Sequence, residues 1–214
     1  MFLLSDGDIE NFPHGLAFDQ RGAMYILQSG LKHQIFQVAP GAGVVLLAGT
    51  DEKGHKDTMS NLLEASFNHP RATGVDSQNR IYICDKNNNA IRRIDMVKKT
   101  VITLLGPGGQ PLDLLNPEGI VVDQYDDVFI ADTGHHRILK ISFVINQQTG
   151  NEETLVSNYC GKYGVASYAN GPAANSLLHS PTGLAIDKMN HLWICDSGNN
   201  WSVQSTASTT VEPK

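Results

Sequence analysis

Short apolar runs closed by polar turns recur along this chain, with the length and alternation of β-strands. An unbroken run such as Gly-Ile-Val-Val at 119–122 has the pattern of a strand buried on both faces. Such runs end on an aspartate, and Gly, Asn or Asp follows three residues later, as in Asp19-Gln-Arg-Gly22, Asp76-Ser-Gln-Asn79 and Asp123-Gln-Tyr-Asp126. That composition predicts a tight turn. A second β-rich run follows, such as Arg80-Ile-Tyr-Ile-Cys84, and after another polar turn a third, such as Arg137-Ile-Leu-Lys-Ile141. A fourth closes the group at residues 44–48, 100–105 and 153–157. Helical periodicity of useful length is missing, with one or two turns at most predicted over residues 60–66. The pattern predicts an all-β fold.

The groups are repeats. Pro13-His-Gly-Leu-Ala-Phe-Asp19, Pro70-Arg-Ala-Thr-Gly-Val-Asp76, Pro117-Glu-Gly-Ile-Val-Val-Asp123 and Pro181-Thr-Gly-Leu-Ala-Ile-Asp187 align without a gap. The aromatics Tyr25, Tyr82, Phe129 and Trp193 form a further column, each followed by isoleucine. The prolines stand 57, 47 and 64 residues apart, a spacing that suits one four-stranded propeller blade per repeat.

The second half of each repeat carries a family resemblance. Asp132-Thr-Gly-His-His-Arg-Ile138, Asp85-Lys-Asn-Asn-Asn-Ala-Ile91 and Asp196-Ser-Gly-Asn-Asn200 resemble the signature of NHL repeats, and so does the connecting stretch 49–67. The resemblance implies a β-propeller of NHL-type blades over residues 12–200, divided at about 12–67, 68–115, 116–179 and a partial 180–200. Residues 1–11 are left as an N-terminal segment or remnant outer strand, and 201–214 as a disordered polar tail. With three complete blades and half a fourth, the propeller is expected to be incomplete and to self-associate through exposed blade faces. In the signature, Asp85, Asp132 and Asp196 are expected to accept from N–H groups of the turn that follows, and Arg137 to pair with its aspartate, all structural roles. Repeat 1 departs with Gln28 in the aspartate column, and repeat 2 with Ala90 in the arginine column.

Composition narrows the function. A net charge of −6 disfavours RNA, which needs a basic face. Arg92-Arg93 and Lys98-Lys99 are expected to be solvated. Cys84, Cys160 and Cys195 form no Cys-x-x-Cys pair, and small buried side chains are the simplest reading. The first residues lack the basic start and length of a secretory signal, and no apolar run is long enough to span a bilayer, so a cytoplasmic protein without membrane contact is expected.

Zinc lyases of similar propeller type take histidines from several blades; here only His14 stands at such a position, its counterparts being Arg71, Glu118 and Thr182. Lactonase-like propellers bind calcium through a glutamate near an inner strand, and Glu118 with Asn116 and Asp113 falls short of the six to eight oxygens calcium takes. Nucleophile-elbow and phosphate-loop motifs are absent. The expectation is no enzyme, no metal and no cofactor. His14, Arg71, Glu118 and Thr182 follow the four prolines, where inner strands begin near the mouth of a propeller channel. Their chemical variety on a repeated frame suits a binding surface. The sequence reading is a protein-interaction platform or scaffold; the alternatives are an RNA-binding NHL domain and a metal-dependent lyase or lactonase-like enzyme.

Overall fold

Each repeat becomes one antiparallel sheet whose strands follow one another in chain order. The computed structural model describes residues 13–205 and 210–213; the segment 1–11 lies outside them. The chain divides between Thr103 and Leu104 into two compact units of two sheets each.

The first unit holds β1 (Pro13–Phe18), β2 (Met24–Gln28), β3 (Gln34–Ala39) and β4 (Gly43–Ala48), then β5 (Pro70–Val75), β6 (Ile81–Asp85), β7 (Ala90–Asp95) and β8 (Thr100–Thr103). Alternation along β2 and β6 puts Tyr25 and Leu27 on the face of the first sheet that meets Ile81 and Ile83 of the second. Ile35, Phe67, Ile94 and Val101 complete this core, all fully buried. The only helical piece in the connecting stretch is a single 3-10 turn, Leu62–Glu64.

The second unit holds β9 (Gly119–Val122), β10 (Val128–Asp132), β11 (Arg137–Ile145) and β12 (Glu152–Gly161), then β13 (Gly171–Pro172), β14 (Pro181–Ile186), β15 (Leu192–Asp196), β16 (Trp201–Ser205) and β17 (Thr210–Pro213). Its core repeats the arrangement, with Phe129 and Ala131 packed among Leu192, Ile194 and Leu178. The order of the last sheet is β13-β17-β16-β15-β14. The reading of residues 201–214 as a disordered polar tail is thereby corrected for the described residues 201–205 and 210–213. β16 pairs with β15 over its whole length, and β17 pairs with both β16 and β13. An outer strand is held by its backbone hydrogen bonds, which Ser, Thr, Val and Gln make as readily as an apolar run does.

One anchor recurs in all four repeats. The aspartate after the inner strand accepts two backbone N–H bonds across the turn. Asp19 takes those of Arg21 and Ala23 (2.9 and 2.8 Å), Asp76 those of Gln78 and Arg80, Asp123 those of Tyr125 and Asp127, and Asp187 those of Met189 and His191. The turn then passes through a left-handed residue, Gly22, Asn79, Asp126 or Asn190, with φ between 59° and 81°. The other carboxylate oxygen receives the polar tip of the aromatic column: Tyr25 (3.0 Å), Tyr82 (3.0 Å) and Trp193 (3.2 Å). Burial and the Asp19 bond push the Tyr25 hydroxyl up to about 12. The His191 backbone N–H, aided by Trp193, holds Asp187 at about 2 against desolvation.

The signature aspartates do something other than cap the turn after them. Asp85 accepts from the Asn68 N–H (2.6 Å), Asp132 from Leu115 (2.8 Å) and Asp196 from His179 (2.7 Å), each 17 residues earlier in the chain. Each carboxylate therefore ties the entry of its own repeat to the end of the second strand. Arg137 pairs with Asp132 (2.7 Å), as its column predicts. In repeat 2 the arginine has moved two residues along the same face. Arg92, fully buried, donates to Asp85 (2.9 Å), Asp57 (2.7 Å) and the carbonyls of Ser66 and Lys56, and its guanidinium lies over the Phe67 ring. The expectation of a solvated Arg92 is corrected: a carboxylate waited for it two positions out of column. Cys84 and Cys160 are buried, whereas Cys195 is exposed, against expectation.

Candidate interaction site at the inner-strand starts

Pro13, Pro70 and Pro181 each pair with the end of the second strand, and in each case the register slips before the next paired residue, at Leu16, Thr73 or Leu184. Proline has no N–H to give the ladder, and the slip is a bulge that re-aims the residue after it. That residue is His14, Arg71 or Thr182. In repeat 3 the ladder starts later, at Gly119, and Glu118 donates its N–H to the Ala131 carbonyl.

The first unit brings two of the four candidates together. Arg71 Nη1 lies 2.7 Å from Nδ1 and 2.8 Å from Nε2 of His14. The guanidinium donates to whichever ring nitrogen carries the lone pair. His14 is exposed and Arg71 half-buried. Their closeness has a backbone cause: a Cβ at Gly15 would stand 2.9 Å from the Arg71 carbonyl oxygen and 3.1 Å from the Ala72 Cα. Glycine alone lets the two inner strands approach so far.

The second unit repeats the device with different side chains. A Cβ at Gly119 would overlap the Thr182 carbonyl oxygen, so Glu118 and Thr182 begin neighbouring inner strands in close contact. Thr133 Oγ1 donates to the Pro181 carbonyl (2.7 Å), and Thr182 Oγ1 shares a 2.5 Å hydrogen bond with Ser197 Oγ. Ser197 escaped the sequence reading because its column holds Lys86 and Thr133 elsewhere, and only the fold places it beside Thr182.

A pair of histidines marks each of these junctions. His33 Nδ1 accepts the His69 backbone N–H (3.4 Å) in the first unit, and His136 Nδ1 accepts that of Ser180 (3.0 Å) in the second. The ring centroids of His33 and His69 are 4.8 Å apart, those of His136 and His179 5.5 Å. An accepting nitrogen has to be unprotonated. Both pKa values are lowered. At His33 the causes are burial first, then His69 and Lys53. At His136 they are burial, then His179 and His135, opposed by Asp196 and Asp132. The unfolded chain takes up these protons near pH 6.5 and the native state only below that. The junctions are therefore at full strength well above pH 6.5 and lose stability as pH falls through 6.5 toward the native values. Thermal melting should show Tm falling between about pH 7.5 and about pH 5. His136→Gln, which keeps an acceptor but takes no proton, should flatten that slope; an unchanged slope would remove the assignment.

Elsewhere in the second unit, Arg137, Lys162, Tyr163, Asn158 and Asn175 line an open groove of about 610 Å³. Arg137 lies over the Tyr163 ring at 4.7 Å, His135 stacks on that same ring at 4.3 Å, and Arg137 is already bound to Asp132 and to the Asp113 carbonyl. Among the described residues no group of three or more His, Cys, Asp or Glu stands close enough to hold a metal ion.

The second-strand aspartate, its link to the entry of the repeat, and the following left-handed residue (Asn89, His136 or Asn200) recur in the second, third and fourth repeats. Those three repeats are NHL repeats. The family pattern described as NHL repeat matches residues 67–94, 114–141 and 178–201. The chain is 29% identical over 145 residues to NHL repeat-containing protein 2 of Gallus gallus, an alignment covering 59% of this chain and 20% of that protein. It thus spans about a fifth of the length of this relative. Among solved structures it is similar to an auxiliary nutrient binding protein from Bacteroides ovatus, with a TM-score of 0.67 at 15% identity over 94% of this chain and 46% of the other. It is also similar to a catalytically inactive form of virginiamycin B lyase from Staphylococcus aureus, with a TM-score of 0.58 at 17% identity over 94% and 54%. At such identities these structures carry the fold alone, an all-β one of antiparallel sheets. No helix among the described residues is long and apolar enough to cross a membrane.

Proposed function

We propose that this NHL chain is a protein-binding module that engages its partner through the residues starting its inner strands, and that it is not an enzyme. The observation that carries this reading is the His14–Arg71 pair. A proline precedes every inner strand, with a slipped register in repeats 1, 2 and 4 and a close-approach glycine in repeats 1 and 3, while the residue presented after it changes: imidazole, guanidinium, carboxylate, hydroxyl. A pair made of a guanidinium and an imidazole suits a carboxylate, because the guanidinium stays charged and attracts an anion. An acidic protein segment is therefore the ligand this unit fits, and an intracellular setting goes with that reading.

A fluorescent glutamate-rich peptide and a uridine-rich RNA oligonucleotide distinguish the readings. The peptide should bind, and Arg71→Glu should weaken it by about tenfold or more, with Glu118→Lys leaving it no weaker. Equal peptide affinity for wild type and Arg71→Glu would remove the site. Tighter binding of the RNA than of the peptide at physiological salt would replace a protein ligand by a nucleic acid.

A further inference from the structure

Within each unit, sheets meet through two complementary faces. The face carrying the aromatic column and the residue two places later (Tyr25 and Leu27, or Phe129 and Ala131) receives the isoleucine-type face of the next sheet. At the inner end of each contact a glycine, Gly15 or Gly119, admits the carbonyl of Arg71 or Thr182.

Each kind of face occurs twice more without a sheet of its own unit against it, and on the first and last sheets those faces are exposed in part. The first sheet turns its isoleucine-type face away from β5. There Ile26 and Val38 are buried at the centre, while Leu16 and Phe18, paired with Ile26 and Met24, remain 54% and 60% exposed. In the last sheet, Cys195 and Trp193 occupy the places of Leu27 and Tyr25, with Ala185 opposite Trp193. Cys195 and Ala185 are exposed, although their counterparts Leu27, Cys84 and Ala131 beside Cys195 are wholly buried. Gly183 stands in the column of Gly15 and Gly119, yet a Cβ there would meet only the Cys195 side chain. The glycine that elsewhere seats a neighbouring inner strand here lies beside an exposed thiol.

We propose that these two faces join head to tail between two copies of the chain. β1 of one copy packs on the β14–β15 face of the other, with the His14 carbonyl seated at Gly183 as that of Arg71 is at Gly15. The occupant is a second copy because the exposed Leu16–Phe18 face is the same kind of face that covers Tyr25 and Leu27 within the first unit. Apolar burial drives the contact, and its unlike faces make it heterologous.

Light scattering on the full chain at about 100 µM should give at least twice the 23.3 kDa chain mass. Phe18→Glu, at an exposed position, should weaken association by about tenfold or more with an unchanged circular dichroism spectrum and Tm, and Gly183→Val should act alike from the other side. The geometry is read by Leu16→Cys under mild oxidation. Cys84 and Cys160 are buried, so the introduced thiol should bridge to Cys195 of another copy, as peptide mass spectrometry would show. A monomer at that concentration, a Cys195–Cys195 bridge, or a bridge from position 16 to Cys195 within one chain would each overturn the proposal. These outcomes are independent of peptide binding at Arg71.

Discussion

Replacing Arg92 by alanine should destabilise the protein by about 3–5 kcal/mol, the cost of leaving a buried carboxylate without its cation. The side chains of Arg92 and Asp85 are both at 0% exposure, 2.9 Å apart. Arg92 also holds Asp57, whose carboxylate in turn accepts the Thr103 N–H and hydroxyl. Loss of the guanidinium frees three segments at once: the end of β6, the connecting stretch at Lys56 and Ser66, and β8. Burial already pushes the Asp85 carboxyl up, opposed by the Asn68 N–H, Asn88 and Arg92. Without Arg92 it rises further, so the native variant binds a proton that its unfolded chain, with a carboxyl near 3.8, releases. Stability of the variant therefore grows as pH falls toward that value, and its deficit against wild type should be larger at pH 7 than near pH 5. Urea unfolding at both pH values measures this. A deficit below about 1 kcal/mol would place Arg92 among ordinary surface pairs.

The second large effect is expected at Gly119→Ala, about 3 kcal/mol. The added methyl would fall on the Thr182 carbonyl oxygen, and the obstacle is backbone. Thr182 cannot yield easily: Thr133 fixes the Pro181 carbonyl beside it, and Ser197 holds its hydroxyl. Gly183→Ala, in the same repeat column, meets only the Cys195 side chain at 3.2 Å and should cost less than about 1 kcal/mol. Denaturant midpoints of the two variants test this. Equal losses would mean that the glycine column answers to turn geometry and has nothing to do with the approach of a neighbouring strand.

Both effects show where local pattern stops carrying information. The four proline-to-aspartate segments, the aromatic column and the NHL signature were legible because strand burial and tight turns depend on residues a few positions apart. The anchor at Asp19, Asp76, Asp123 and Asp187 is of this kind, since its donors lie two, four and six residues along the chain. The blade type, the order of strands and the positions of His14, Arg71, Glu118 and Thr182 follow from the sequence alone. What those residues touch does not. Arg71 reaches His14 across 57 residues, because a glycine lets two inner strands close up. Arg92 read as a solvated charge, because its carboxylates are 7 and 35 residues away and neither falls in the family's arginine column. The strands after Asn200 were missed because an outer strand is selected by backbone pairing, which polar residues satisfy as well as apolar ones. The sequence by itself determined the inner strands and the turns between them; only the tertiary structure decided which distant groups share a hydrogen bond, a carboxylate or a close backbone approach. Those depend on how sheets stack, and stacking pairs residues by position in space, which their spacing along the chain leaves open.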